Sequence, residues 1–142
     1  NAGGAGLITP DLIPDEAAEW MAASTGHDLD RVFLAAPSSS DARMKQAVDA
    51  SRGFVYAVST MGITGARADV DAAARGVVAR LRDAGATSAC VGLGISTADQ
   101  VADVLSYADG AIVGSRLVAA LEEGGVSGVA ETAAALAAGT RR

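Results

Sequence analysis

One cysteine, Cys90, and one histidine, His27, are all the thiol and imidazole this chain of 142 residues has. A single cysteine excludes an internal disulfide framework and a cysteine-based zinc cage. Cys90 stands between Ala89 and Val91 in an apolar run. That setting predicts buried packing, because a reactive thiol needs an exposed, electropositive one. His27 lies in the turn-like stretch Thr25-Gly26-His27-Asp28 and reads as a surface loop; the sequence shows no partners for a metal site or a nucleophilic triad. Positive charge is also scarce: 11 Lys and Arg stand against 17 Asp and Glu, for a net charge of -6. This argues against nucleic-acid binding, which needs clustered cations. No apolar run reaches the roughly 18 residues of a membrane span, so no membrane partner is expected. No basic segment followed by an apolar run marks a signal or transit peptide. An initiator Met is missing too. Asn1-Ala2 ahead of a Gly-rich stretch reads as the remnant of an expression tag on a chain that begins inside a larger protein.

Half of the residues are hydrophobic, 17 are Gly and 20% are charged, the composition of a globular chain rather than a disordered one. The length fits one domain, residues 1–142. The bias toward Ala, and toward Arg over the single Lys45, reads as genome composition rather than function. Apolar runs at Gly6–Thr9, Arg31–Ala36, Gly53–Ser59, Thr87–Val91 and Gly110–Val113 predict five strands. Helical patterns separate them. Asp15 and Glu16 open the first; Met44, Ala47 and Val48 mark the second. The third carries a stripe from Val70 through Val77, Val78 and Leu81 to a stop at Gly85. The fourth places Val101, Val104, Leu105 and Ala108 inward, with Ser96 as N-cap and Asp99 completing a capping box. Gly114-Ser115 opens the fifth, and an Ala-rich helix follows from about Ser127. Strict strand–helix alternation implies an α/β fold with a parallel sheet and right-handed crossovers. The short apolar strands predict coverage on both faces.

Ligands in such folds sit at the C-terminal ends of the strands. Two adjacent strand ends there carry Gly92-Leu93-Gly94 and Gly114-Ser115, the latter at a helix start. Glycines admit close backbone approach, amides donate, and the helix dipole favours an anion, so the pair suits a phosphate; each glycine alone also fits a plain tight turn. No GxGxxG dinucleotide fingerprint is present, because Thr97 stands where its third Gly would be. The loop from Thr60 to Arg67 reads as a mobile lid or an ordinary connection. Tyr56 either faces the mouth or packs. Asp11 is the one acid expected at the mouth, where general acid–base chemistry needs two groups.

Taken together, Leu7-Ile8-Thr9-Pro10-Asp11-Leu12-Ile13-Pro14, Phe33-Leu34-Ala35-Ala36-Pro37, Phe54 through Gly65 with its Tyr-x-x-Ser-x-x-Gly-x-Thr-Gly core, Val91 through Ser96, and Asp109 through Ser115 resemble the α subunit of tryptophan synthase in its C-terminal half. The resemblance implies strands four to eight of a (β/α)8 TIM barrel, about five βα units of a fold that takes roughly 250 residues when complete. It implies a lyase that cleaves indole-3-glycerol phosphate to indole and glyceraldehyde 3-phosphate by retro-aldol chemistry, in the cytoplasm and without a cofactor. Gly65, Gly92, Gly94, Gly114 and Ser115 would contact the phosphate. Ile8, Leu34, Tyr56, Thr64 and Leu93 would line the indole pocket, Thr64 also belonging to the lid. The family's catalytic Glu and Asp have no counterpart here, so the resemblance implies a chain inactive alone. The expected partners are the phosphate substrate and, for the intact parent, the β subunit, bound weakly here because only Pro10–Ala17 and Ala36–Asp41 supply that surface. Open strand edges predict self-association. A stand-alone phosphate-binding or interaction module and half of another phosphate-binding barrel are the other readings; the Tyr56–Gly65 segment argues against the latter.

Overall fold

The computed structural model describes residues 3–58, 67–92 and 94–141, and of residues 67–71 the backbone. Strands and helices alternate as β1 (Gly6–Ile8), α1 (Ala18–Gly26), β2 (Asp30–Val32), β3 (Leu34–Ala35), α2 (Asp41–Ala50), β4 (Val55–Val58), α3 (Arg67–Asp83), β5 (Ala89–Gly92), α4 (Ala98–Leu105), β6 (Gly110–Ile112) and α5 (Ser115–Ala137). Single 3-10 turns at Pro14–Glu16 and Ala138–Arg141 precede α1 and follow α5. Every strand pairing is parallel: β1 with β2, and β3, β4, β5 and β6 in that order. The α/β alternation expected from the apolar runs is therefore present.

Three features differ from the sequence reading. First, the expected strand Arg31–Ala36 is two pieces. Phe33, fully buried, interrupts it: β2 belongs to the ladder with β1, and β3 to the ladder with β4. The Phe33 N–H donates to the Ser51 hydroxyl (3.3 Å) and its carbonyl accepts from the Tyr56 N–H (3.0 Å). Second, the strands are not covered on both faces. Val55, Ala57, Ala89 and Val91 are buried against the helices, while the alternating Tyr56, Val58, Cys90 and Gly92 are half-buried. This is the period-2 pattern of a sheet packed on one side.

The third difference is the cap of α4. Thr97, not Ser96, is the N-cap: its hydroxyl accepts from the Gln100 N–H (3.3 Å), and the Gln100 side-chain carbonyl accepts from the Thr97 N–H (3.1 Å). Gln100 is long enough to reach back and satisfy the cap amide, which the shorter Asp99 at N2 is not placed to do. The Ser96 N–H and hydroxyl donate to the same Gln100 oxygen.

The core forms where helix stripes meet the covered sheet face. It includes Met44, Ala47 and Ala50 from α2, Ala74, Val77, Val78 and Leu81 from α3, and Val101 and Val104 from α4. Val48 and Leu105 pack at its margin. Ala35, Ala57 and Ala89, at 1%, 0% and 0% exposure, let the helix axes lie close to the sheet. The last helix breaks at Gly125, whose φ of 60° and ψ of -153° are non-helical, two residues before the expected boundary. The two halves then fold against each other so closely that a Cβ on Gly128 would stand 2.6 Å from the Ala120 carbonyl oxygen. Among the described residues no helix is long and apolar enough to cross a membrane.

The cap assignment is directly measurable. Thr97→Ala is expected to lower unfolding stability by about 1 kcal/mol in urea titrations, and Ser96→Ala by less than about half of that. Equal losses from the two variants would return the cap to Ser96.

Candidate functional site

Parallel pairing sends the C-terminal ends of β3 to β6 to one end of the sheet. The register sets Leu34 beside Tyr56, Tyr56 beside Cys90, and Cys90 beside Gly110. One row further on, Val58 stands beside Gly92 and Gly92 beside Ile112. These two rows lie on the face the helices leave open. Leu34 and Tyr56 are thus neighbours, and both are half-buried. Ile8 ends β1, in the other ladder beside Val32, and is 45% exposed. Thr64, Gly65 and Leu93 lie outside the described residues, and so does the loop expected from Thr60 to Arg67 as a lid or an ordinary connection, up to Ala66; Arg67 opens α3.

The two glycine-bearing strand ends come together because β5 and β6 are paired up to Gly92 and Ile112. Gly94 follows with φ +63°, a left-handed conformation that L side chains rarely adopt, and with nothing within 4 Å of a notional Cβ. Gly114 is the N-cap of α5 and supplies no side-chain cap; its carbonyl accepts from the Leu117 N–H (2.8 Å) and the Val118 N–H (3.2 Å). The amides of Ser115 and Arg116, in the first turn, have no intrahelical acceptor. Gly94, Gly114 and Ser115 are exposed, so the amide end of this helix and a left-handed glycine turn face solvent side by side. That arrangement favours an anion by dipole and by donor supply.

Gly92 has a different local role from the one its sequence position suggests. A Cβ there would lie 2.0 Å from the Tyr56 hydroxyl oxygen and 2.6 Å from Tyr56 Cζ. The phenol leans over Gly92, so this glycine is first of all the space for a ring. Gly110 does the same for Cys90, whose Sγ is 2.7 Å from where its Cβ would be. Burial pushes the Cys90 thiol pKa up, the nearby Asp109 charge adds to the rise, and a hydrogen bond with Ser88 opposes it. A thiol held above its ordinary range is mostly protonated at neutral pH and so a poor nucleophile; Cys90 is half-buried on the open face rather than buried as its apolar run predicts, because it alternates with the covered Ala89 and Val91.

Arg116 was not singled out by the sequence pattern. It follows Ser115 directly and, with Ser96, Thr97 and Glu131, borders a cleft of about 280 Å³ lined by the start of α4 and by both ends of α5. Its guanidinium stands 3.7 Å from the Glu123 carboxylate. A cation in the first turn of a helix runs against the macrodipole, and that mismatch is the signal that could have marked it. His27 is exposed at the C-cap of α1, as expected. Asp11 is exposed in the turn after β1. Among the described residues no group of three or more His, Cys, Asp or Glu could hold a metal ion.

The ring–glycine contact predicts a coupled pair. Gly92→Ala is expected to cost about 1–2 kcal/mol of stability, and the cost should fall by at least half in a Tyr56→Ala background. Gly94→Ala, strained by its backbone alone, is expected to cost about 1 kcal/mol whatever residue 56 is. Additive losses at 92 and 56 in a double-mutant cycle would dismiss the contact.

A sequence model of the tryptophan synthase alpha chain family matches residues 1–140. The tryptophan synthase alpha chain of Leifsonia xyli subsp. xyli is 72% identical over 141 residues, covering 99% of this chain and 54% of that protein. That of Bifidobacterium longum is 61% identical over 118 residues, covering 83% of this chain and 40% of its own length. Among solved structures, tryptophan synthase of Mycobacterium tuberculosis superposes with a TM-score of 0.88 at 52% identity, covering 99% of this chain and 53% of that one. A chain of the tryptophan synthase a2b2 complex of Pyrococcus furiosus reaches 0.80 at 30% identity, with 96% and 56% covered. The chain thus spans about half the length of the curated relatives it matches.

Proposed function

The chain belongs to the tryptophan synthase alpha chain family, and from that premise we propose that it carries the phosphate-gripping part of a lyase site for indole-3-glycerol phosphate. The matched fold is then five βα units of a (β/α)8 barrel. The observation that carries the reading is the pairing of β5 with β6, which sets the left-handed turn at Gly94 beside the uncapped start of α5 at Gly114 and Ser115.

In this reading the phosphate of the substrate accepts from the amides at Gly94, Ser115 and Arg116. The indole end lies toward Leu34 and Tyr56, with Ile8 at the far side; Thr64, Gly65 and Leu93 complete the pocket and lid. Orientation is the contribution of these residues. Anchoring the phosphate at one end of the substrate fixes where its scissile carbon–carbon bond sits, which removes rotational freedom before reaction. Retro-aldol cleavage then requires a base to take a hydroxyl proton and an acid to protonate the departing indole carbon. Asp11, exposed in the turn after β1, is one carboxylate and not a pair. Binding without turnover is therefore what this chain does alone, and no cofactor enters the reading. The β subunit is the partner proposed for the intact parent. On this chain its docking surface is confined to Pro10–Ala17 and Ala36–Asp41, so its binding here is weak.

Glycerol 3-phosphate is expected to bind the purified chain in calorimetry or NMR titration, and Gly114→Asp to weaken it at least about tenfold by setting a carboxylate against the anion while the circular dichroism spectrum stays unchanged. Equal affinity of both proteins would remove the phosphate from this position. In assays free of host enzyme, the chain is expected to release no indole from indole-3-glycerol phosphate, with or without added β subunit. Robust indole release, or tight association with that subunit, would contradict the division of roles drawn above.

A further inference from the structure

The half-buried arginines of this chain differ in what they hold. Arg31 donates to the Ala50 and Met21 carbonyls and to the hydroxyls of Ser24 and Thr25. Arg80 donates to the Pro37 and Ser39 carbonyls and to the Asp41 carboxylate. The side chain of Arg116, also half-buried, makes no hydrogen bond among the described residues. Its one ionic contact there is Glu123 at 3.7 Å, beyond hydrogen-bond reach, and Glu123 is 72% exposed. The side chains of Arg43 and Arg141 make none either, but both stand out in solvent. A planar guanidinium carries five donors. Arg116 leaves all of them for water or a solute, on a side chain that lies along the wall of a cleft.

Packing does not account for this placement. A cation in the first turn of a helix opposes the macrodipole, and an ion pair this long and this exposed contributes little. The direction of the side chain is also unusual. Long side chains on a helix lean toward its N-terminus. Glu123 lies about two turns further along α5, so Arg116 extends the other way at rest. Rotation about its own side-chain bonds returns the guanidinium to the first turn, where the amides of Ser115 and Arg116 have no intrahelical acceptor. The walls of the cleft lead there as well. Arg116 follows Ser115 on one wall, and Ser96 and Thr97 follow the Gly94 turn on the other.

We propose that the Arg116 side chain is the charged arm of the phosphate subsite. Glu123 holds it at rest. A phosphate monoester draws it back over the first turn of α5, where it donates to the oxygens that the amides leave unpaired. This role rests on the phosphate reading of the site and adds to it a residue that sets selectivity. Backbone amides and a helix dipole accept any small anion. A guanidinium fork matches two oxygens of one phosphate, and its charge favours the dianion. The ligand class is therefore a doubly charged phosphate monoester rather than a singly charged carboxylate.

Calorimetric titration of the purified chain with glycerol 3-phosphate and with glycerate tests it. Arg116→Ala is expected to weaken glycerol 3-phosphate about tenfold and glycerate by less than about threefold. The urea midpoint should stay unchanged or rise, because a charge opposing the dipole is gone. Arg116→Lys, which keeps the charge without the fork, is expected to recover part of the lost affinity. Glu123→Gln, which releases the arm, is expected to tighten glycerol 3-phosphate by about twofold. Gly114→Asp separates this role from the reading beneath it. If Gly114→Asp weakens binding and Arg116→Ala does not, the phosphate stays at the amides and the arm is dismissed. If Gly114→Asp leaves the affinity unchanged, or the chain binds no glycerol 3-phosphate, the phosphate reading falls and this role with it. Equal losses for the two ligands in Arg116→Ala would overturn the selectivity.

Discussion

The parallel register of β3 to β6 is the constraint on which the rest of the molecule depends. It sets Leu34, Tyr56, Cys90 and Gly110 in one row, and Val58, Gly92 and Ile112 in the next. Side chains alternate across a strand, so a slip of one residue would turn Tyr56 into the helices and Ala57 to the open face. The small residues on the covered face resist that slip. Ala35, Ala57 and Ala89 are fully packed where helices approach, and a phenol ring in that layer would have no room. The same register brings the Gly94 turn and the start of α5 together, because both continue from paired strands.

Arginines tie the helix ends to this sheet. Arg31 donates to the Ala50 carbonyl at the end of α2 and to the hydroxyls of Ser24 and Thr25 in α1. Arg80 reaches from α3 to the carbonyls of Pro37 and Ser39 and to Asp41 at the start of α2. Arg82 donates to the carbonyls of Ala86 and Thr87 and pairs with Asp109, whose carboxylate also accepts from the Ala89 N–H (2.8 Å). Exposed ion pairs contribute little each. Their use here is geometric: a planar five-donor group can hold several carbonyls at once. The arginine content read as genome bias therefore includes residues with defined positions. Nothing local in the sequence marks them, since their acceptors lie up to 43 residues away.

Much of the fold was legible because strand and helix periods are local. The helix stripes at Met44 and Ala47, at Val77, Val78 and Leu81, and at Val101 and Val104 are the core stripes observed. The break at Phe33 was not legible, because it arises where one segment serves two different ladders. The cap of α4 lies one residue beyond the one its pattern suggests, because Ser96, Thr97, Asp99 and Gln100 all satisfy a cap pattern and only side-chain reach decides among them. At the candidate site the glycines were found by composition and position, but the reason for Gly92 was not. Its neighbour Tyr56 is 36 positions earlier and is brought over it by sheet pairing.

By itself the sequence determined the alternation of elements, the family, and the placement of two glycine-bearing turns after consecutive strands. Those properties rest on spacing along the chain: a period of two or of 3.6, and glycine where a strand must end. Only the tertiary structure decided which glycine admits a left-handed turn, which makes room for a ring, and which face of the sheet stays open. Those depend on atoms far apart in sequence being brought within contact distance, and pairing between strands, not the order of residues within one, sets that distance.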